Sequence, residues 1–241
     1  MAAALAAVCF AQAPSFDAAS IKPARTDSAG RSLAHDPGGR LTTSNATLKM
    51  LIMLAYRVMP HQVAGGPGWV ESDGFDIDAK AARPDPSGAH FRQMLQSLLA
   101  ERFQLRVHRE TRELPVYLLV VAKNGPKLAA AKGDEAEAGA RIEGPGRLTG
   151  VRATMPELAA ALSRPLQRTV IDRTRLGGAY NFTLRFVPDA GSVKPGGDPA
   201  GSGDGPDLVT ALQEQLGLGL QTGKGPVEVL VIDHAEKPTP N

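Results

Sequence analysis

The chain has 241 residues, 42% hydrophobic and 22% charged, with 27 Lys and Arg against 25 Asp and Glu. That length and balance allow one substantial core or two modest ones. A formal charge of +2 with no basic face of regular period argues against nucleic-acid binding, and the single cysteine, Cys9, excludes an internal disulfide.

The chain opens on an apolar, small-residue run from Met1 to Ala13. Cys9-Phe10-Ala11 and Ala11-Gln12-Ala13 both fit the small-x-small rule for signal cleavage, although Pro14 disfavours the second. No basic residue precedes the run, so two readings stay open: a trimmed export signal and a buried N-terminal segment. Export is preferred: residues 1–13 are read as a signal-peptide remnant and the protein as periplasmic or secreted. A cleaved form would be cysteine-free, with no thiolate nucleophile and no cysteine-based metal site. The run falls short of the roughly 18 to 20 apolar residues that a membrane span needs, so no transmembrane segment is expected.

Phe16 to Pro23 supports a leading strand, and Gly39 to Ser44 a second one before a helix from about Thr47 to Arg57. The apolar residues of that helix surround most of its circumference, which predicts burial on more than one side. A short strand around Gln62 to Ala64 leads to the turn Gly65-Gly66-Pro67-Gly68, to Trp69, and to the alternating strand Phe75 to Lys80. Alternation predicts one buried and one wet face. Phe91, Met94, Leu95, Leu98, Leu99 and Phe103 fall on one stripe of an amphipathic helix. A hairpin is expected next: Leu105 to His108, a polar turn, then the apolar Val116 to Val121.

The same order then returns. Gly39-Arg40-Leu41-Thr42 and Ala46-Thr47-Leu48 reappear 107 residues later as Gly146-Arg147-Leu148-Thr149 and Ala153-Thr154-Met155. Leu95, Leu99 and Phe103 align with Leu208, Leu212 and Leu216 at an offset of 113. Thr154-Met155-Pro156-Glu157 forms a capping box at a helix start. Strands follow at Thr169 to Asp172 and Tyr180 to Phe186, and the turn Thr222 to Pro226 closes a second hairpin. The expected fold is α+β: two tandem copies of a strand-helix-strand-strand-helix-hairpin unit, with mixed or antiparallel sheets, over residues 14–123 and 146–241. Residues 124–145 read as a linker and 188–206 as a flexible inserted loop.

Chemistry is weakly marked. No pair of the five histidines has the helical i, i+4 spacing of a zinc site. His108 and Glu110 share a face of a predicted strand, where they suit a metal or a base-and-orienter pair; the plainer reading is a solvated strand face, and His234 beside Asp233 is read the same way. Asp76 and Asp78 also share a face. Asn181 and Thr183 stand at the matching places of the second copy, so the two carboxylates are either functional or surface charge. His61 joins them as a polar residue of the first copy alone. Trp69, the only tryptophan, is read as core, with a ligand platform as the alternative. There is no G-x-S-x-G nucleophile elbow, and the glycines from Gly65 to Gly68 lack the Gly-Lys-Ser/Thr ending of a phosphate loop. Neither a cofactor nor a metal site is expected.

The segments Phe16 to Pro23, Gly65 to Trp69, Phe75 to Lys80, Leu98 to Phe103, His108 to Pro115, Leu119 to Lys127 and Ala211 to Gly217 together resemble the soil-associated exported protein family expanded in acidobacteria, a domain of unknown function. Some members are joined to sensor-type membrane metallopeptidases, so the resemblance implies an extracytoplasmic sensory or binding role and supplies no catalytic residues. The function expected is an exported, non-enzymatic binding or interaction module whose partner is an unknown small molecule or extracytoplasmic protein. The alternative is a secreted hydrolase with a dispersed site at the cleft between the two repeats.

Overall fold

Apolar residues at every second position of two antiparallel strands set the first sheet. Along the chain lie β1 (Ala18–Pro23), β2 (Ser32–His35), β3 (Arg40–Thr47), α1 (Leu48–Tyr56), β4 (Val63–Gly65), α2 (Trp69–Ser72), β5 (Gly74–Lys80) and α3 (Ala89–Arg102). The order in the sheet is β1-β5-β3-β2, antiparallel throughout. Phe75, Ile77 and Ala79 are buried, whereas Asp78 and Lys80 between and beyond them are exposed. The computed structural model describes residues 14–25, 30–36, 38–82, 88–132, 138–144, 146–188 and 205–239. The expected signal segment, and nearly all of the expected inserted loop, lie outside these.

Nine residues are too few for a helix to persist alone in water. α1 is held instead by its cap and its packing. Thr47 Oγ1 accepts the Met50 N–H at 3.3 Å, and Leu48, Leu51, Ile52 and Ala55 are buried where α1 packs against α3. From α3, Phe91, Leu95 and Leu99 enter the same core. Each large apolar side chain removed from water contributes about 1.5 to 3 kcal/mol.

The chain continues with β6 (Arg106–Val121), β7 (Ala129–Ala130), β8 (Gly139–Ile142), β9 (Arg147–Ala153), α4 (Met155–Ser163), β10 (Val170–Asp172), β11 (Tyr180–Arg185), α5 (Leu208–Ala211) and β12 (Leu218–His234). α5 runs on into a π-helical turn, Leu212–Leu216. One sheet has the order β7-β11-β9-β8, antiparallel. The other is mixed, β10-β6-β12-β4, with β10 parallel to β6 and β4 parallel to β12. α4 starts as its sequence predicts: Glu157 N–H donates to Thr154 Oγ1 at 3.4 Å, and the Glu157 carboxylate accepts the Thr154 N–H at 2.8 Å.

Two compact units result, residues 1–110 with 228–241 and residues 111–227. The first has its own core, which includes Leu230 and Ile232 from the end of β12. The second is centred on Leu119, Leu148, Met155, Leu162, Leu184 and Leu212.

The protein is α+β with three mostly antiparallel sheets, and it departs from the expected unit at the hairpins. Neither turn exists: β6 and β12 are single strands of 16 and 17 residues. Gly223 and Gly225 sit inside β12 without a positive φ. Their role is clearance, since a Cβ on Gly225 would stand 2.7 Å from Ile171 Cδ1 and one on Gly223 3.0 Å from Leu118 Cδ1. The polar run Arg109 to Glu113 is strand that faces largely outward, so its polarity reflects exposure and not a turn. Within the stretch read as a linker, β7 and β8 pair with β11 and β9.

Candidate functional site

Asp76 and Asp78 belong to β5, and the local structure gives each a separate task. Between the pairs Thr43 with Ile77 and Ala46 with Phe75, the register of β3 shifts, so that Ser44 and Asn45 together oppose Asp76. This is a β-bulge. Asn45 takes a left-handed φ of 53°, and its N–H donates to Asp76 Oδ1 at 2.8 Å. Two residues on, Asp78 holds Arg40 in a two-pronged ion pair, with Nε to Oδ1 at 2.9 Å and Nη2 to Oδ2 at 2.6 Å. The hydrogen bond from Arg40 keeps the Asp78 carboxyl below its ordinary pKa, and both side chains are about half exposed.

His108 and Glu110 are brought together on β6, and Asp233 of β12 completes the group. His108 Nδ1–H donates to Asp233 Oδ1 at 2.8 Å, while Nε2 stands 3.7 Å from Glu110 Oε2. The hydrogen bond to Asp233, followed by the negative charge of Asp233 and Glu110, raises the His108 pKa. The three side chains are 50, 38 and 45% exposed, which leaves the charges screened by water. Beside them on the same two strands, Arg109 pairs with Glu228. His234 pairs with Glu236 at 2.9 Å.

His61 lies elsewhere, on the short 3-10 turn Pro60–Gln62, where it is half-buried. Trp69 opens α2 and packs on the first core, its ring edge-on to Phe75 at 6.2 Å between centroids. Lys237 Nζ lies 5.9 Å above the indole and pairs with Asp73 at 2.7 Å, so the outer face carries a cation. Gly65 and Gly66 both have positive φ and press on Ile232 of β12, where a Cβ on Gly65 would stand 2.9 Å from the Ile232 carbonyl oxygen. These glycines serve the pairing of β4 with β12.

Sequence reasoning missed Asp233 as a partner of His108. The two are 125 residues apart, and nothing local to either one signals the meeting. Chemically, the trio offers an imidazole oriented by one carboxylate and biased towards its protonated form. Among the described residues, its direct polar partners are Asp233 and Glu110, neither of which carries a hydroxyl or thiol nucleophile. No group of three His, Cys, Asp or Glu with metal-holding geometry occurs among the described residues. Among the same residues no helix is long and apolar enough to cross a membrane, and no buried side-chain polar atom lacks a partner.

A family model described as a protein of unknown function, DUF3738, matches residues 49–235. No curated protein and no solved structure matches the chain. The matched stretch runs from α1 to the end of β12 and takes in most of both units; the chain belongs to the DUF3738 family.

Proposed function

We propose that the protein is an exported, non-enzymatic binding or interaction module built from two tandem copies of one α+β unit. The observation that carries this reading is the separate commitment of its polar residues: Asp76 to the Asn45 N–H, Asp78 to Arg40, and His108 to Asp233. An acid, a base and a nucleophile would have to meet at one place for catalysis. Export and a sensory role rest on the apolar start of the chain and on the resemblance to soil-associated exported proteins of acidobacteria; the partner is then a small molecule or a protein outside the cytoplasm.

Duplication is supported by matching irregularities. In β9 the pairs Gly150 with Phe182 and Ala153 with Tyr180 enclose a second bulge. There Arg152 has a φ of 46°, and its N–H donates to Asn181 Oδ1 at 2.7 Å. Asn181 thus does in one unit what Asp76 does in the other, and both lead into a helix capped by a threonine, Thr47 and Thr154.

A secreted hydrolase is the second reading, and the His108 and Asp233 pair is what favours it, because a carboxylate on one ring nitrogen orients the other for proton transfer. The deciding experiment assays the full chain against ester, phosphate, glycoside and peptide substrates with and without added divalent metal. The binding-module reading expects no turnover above buffer. Turnover abolished by His108→Gln would establish the hydrolase.

A further inference from the structure

The two units differ in how they treat a basic pair at equivalent places. In the first, Arg40 of β3 stands opposite Lys80 of β5, and Asp78 on the same face binds Arg40 through both oxygens. In the second, Arg147 of β9 stands opposite Arg185 of β11, and the place of Asp78 is taken by Thr183, which brings no charge. Residues directly opposed on an antiparallel pair hold their Cβ atoms about 4.5 to 5.5 Å apart, where like charges are destabilising. Glu143 approaches Arg147 Nε at 3.6 Å but also accepts the Thr149 hydroxyl. Among the described residues the Arg185 guanidinium has no partner, while its backbone N–H and carbonyl are both fixed by the Gln215 side chain at 3.0 and 2.7 Å. Two basic residues therefore stand directly opposed at one strand end, with Glu143 near Arg147 as the carboxylate beside them.

An open depression of about 340 Å³ lies at this place, lined by Arg147, Arg185, Phe186, Val187 and Pro206 among others. The wall beside the arginines is thus apolar. We propose that Arg147 and Arg185 clamp the carboxylate of a small organic acid whose apolar part rests on Phe186, Val187 and Pro206. The ligand carboxylate takes the part that Asp78 plays in the first unit, and the planar guanidinium fork suits it because two parallel N–H donors match two carboxylate oxygens. Inorganic phosphate offers the same oxygens without an apolar part. The site is made of second-unit residues and stands whether or not His108 is catalytic, so failure here and turnover in the hydrolase screen are separate results.

The test follows the arginine Nε–H resonances of the full-length, 15N-labelled protein during titration with sodium benzoate and, separately, with inorganic phosphate at constant ionic strength. Benzoate is expected to shift Arg147 and Arg185 saturably. Thr183→Asp rebuilds the internal carboxylate partner and is expected to weaken benzoate binding at least about tenfold, the size of one charge-assisted contact, whereas Thr183→Asn leaves it unchanged. Arg185→Gln provides a second variant and is expected to abolish the shift at Arg147. The proposal is overturned by the absence of a saturable shift, by saturation with phosphate and not benzoate, or by undiminished benzoate binding in either Thr183→Asp or Arg185→Gln.

Discussion

The Asp76 carboxylate accepts the backbone N–H of Asn45 at 2.8 Å, at the point where a bulge turns that donor away from the strand ladder. An N–H withdrawn from water without a partner costs about 1 to 3 kcal/mol. Asp76, one of the two carboxylates that the sequence leaves as either functional or surface charge, thus serves as a backbone staple.

Because Asn181 makes the same bond to Arg152 with a neutral amide oxygen, the charge of Asp76 is expected to be dispensable. Asp76→Asn is expected to stay within about 0.5 kcal/mol of the parent in urea unfolding at neutral pH, and Asp76→Ala to lose about 1 to 2 kcal/mol. Equal losses for the two variants would show that the charge, and not the accepted hydrogen bond, is what matters.

Behind the bulge the two units solve one packing problem differently. Thr43 is buried, its hydroxyl donating to the Phe75 carbonyl at 3.0 Å and accepting the Ile77 N–H at 2.9 Å, whereas a Cβ on the corresponding Gly150 would run into the Phe182 ring. Gly150→Thr is expected to cost about 1 to 3 kcal/mol by overpacking, and Phe182→Ile a comparable amount by leaving a void. Combined, they recreate the pair of Thr43 with Ile77. The double variant should be more stable than the sum of its parts by at least about 1 kcal/mol, read from thermal unfolding; strict additivity would deny the equivalence.

The raised pKa of His108 has a definite sign. A group that binds its proton more tightly in the folded state adds stability below its ordinary pKa and loses that contribution as pH rises through the folded value. The Nδ1–H bond to Asp233 is the leading cause. In a titration of the His108 ring protons by NMR, Asp233→Asn is expected to bring the midpoint down towards that of an unperturbed histidine. A midpoint unmoved by the substitution would remove Asp233 from the account.

A fragment of residues 14–123 contains all of the first sheet, α1 and α3, yet lacks Leu230 and Ile232, which are buried in that core, and the strand that pairs with β4. Truncation of one buried Leu or Ile to Ala costs about 2 to 5 kcal/mol, against a usual total of about 5 to 15 kcal/mol. The fragment is expected to lack a cooperative unfolding transition and to gain one on addition of a peptide spanning residues 224–239. Cooperative unfolding of the fragment alone would contradict the assignment of β12 to the first unit.

Local signals were legible in the sequence where local physics decides them. The capping box of Thr154 and Glu157 and the stripe from Phe91 to Phe103 each lie within one element, and both helices form there. The second expected hairpin fails because Gly223 and Gly225 carry turn composition, while their constraint is the nearness of Leu118 and Ile171 from other strands; the first fails because the polarity of Arg109 to Glu113 is that of an exposed strand. Asp76 and Asp78 looked alike as outward carboxylates; only the bulge separates them, and it depends on a positive φ at Asn45 that the residue type permits but does not announce. Asp233 met His108 through the strand order β10-β6-β12-β4, which no spacing along the chain encodes.

The participation of β12 in the first core has a consequence for the order of synthesis. At about 5 to 20 residues per second, roughly 6 to 25 s separate the addition of Phe103 from that of Leu230, and both are buried in that core. Throughout that interval β4 has no neighbour to pair with, and the first core lacks the Leu230 and Ile232 side chains that complete it. The N-terminal half of the nascent chain is thus made early and finished last, so its exposure to other chains is governed by elongation rather than by its own folding rate.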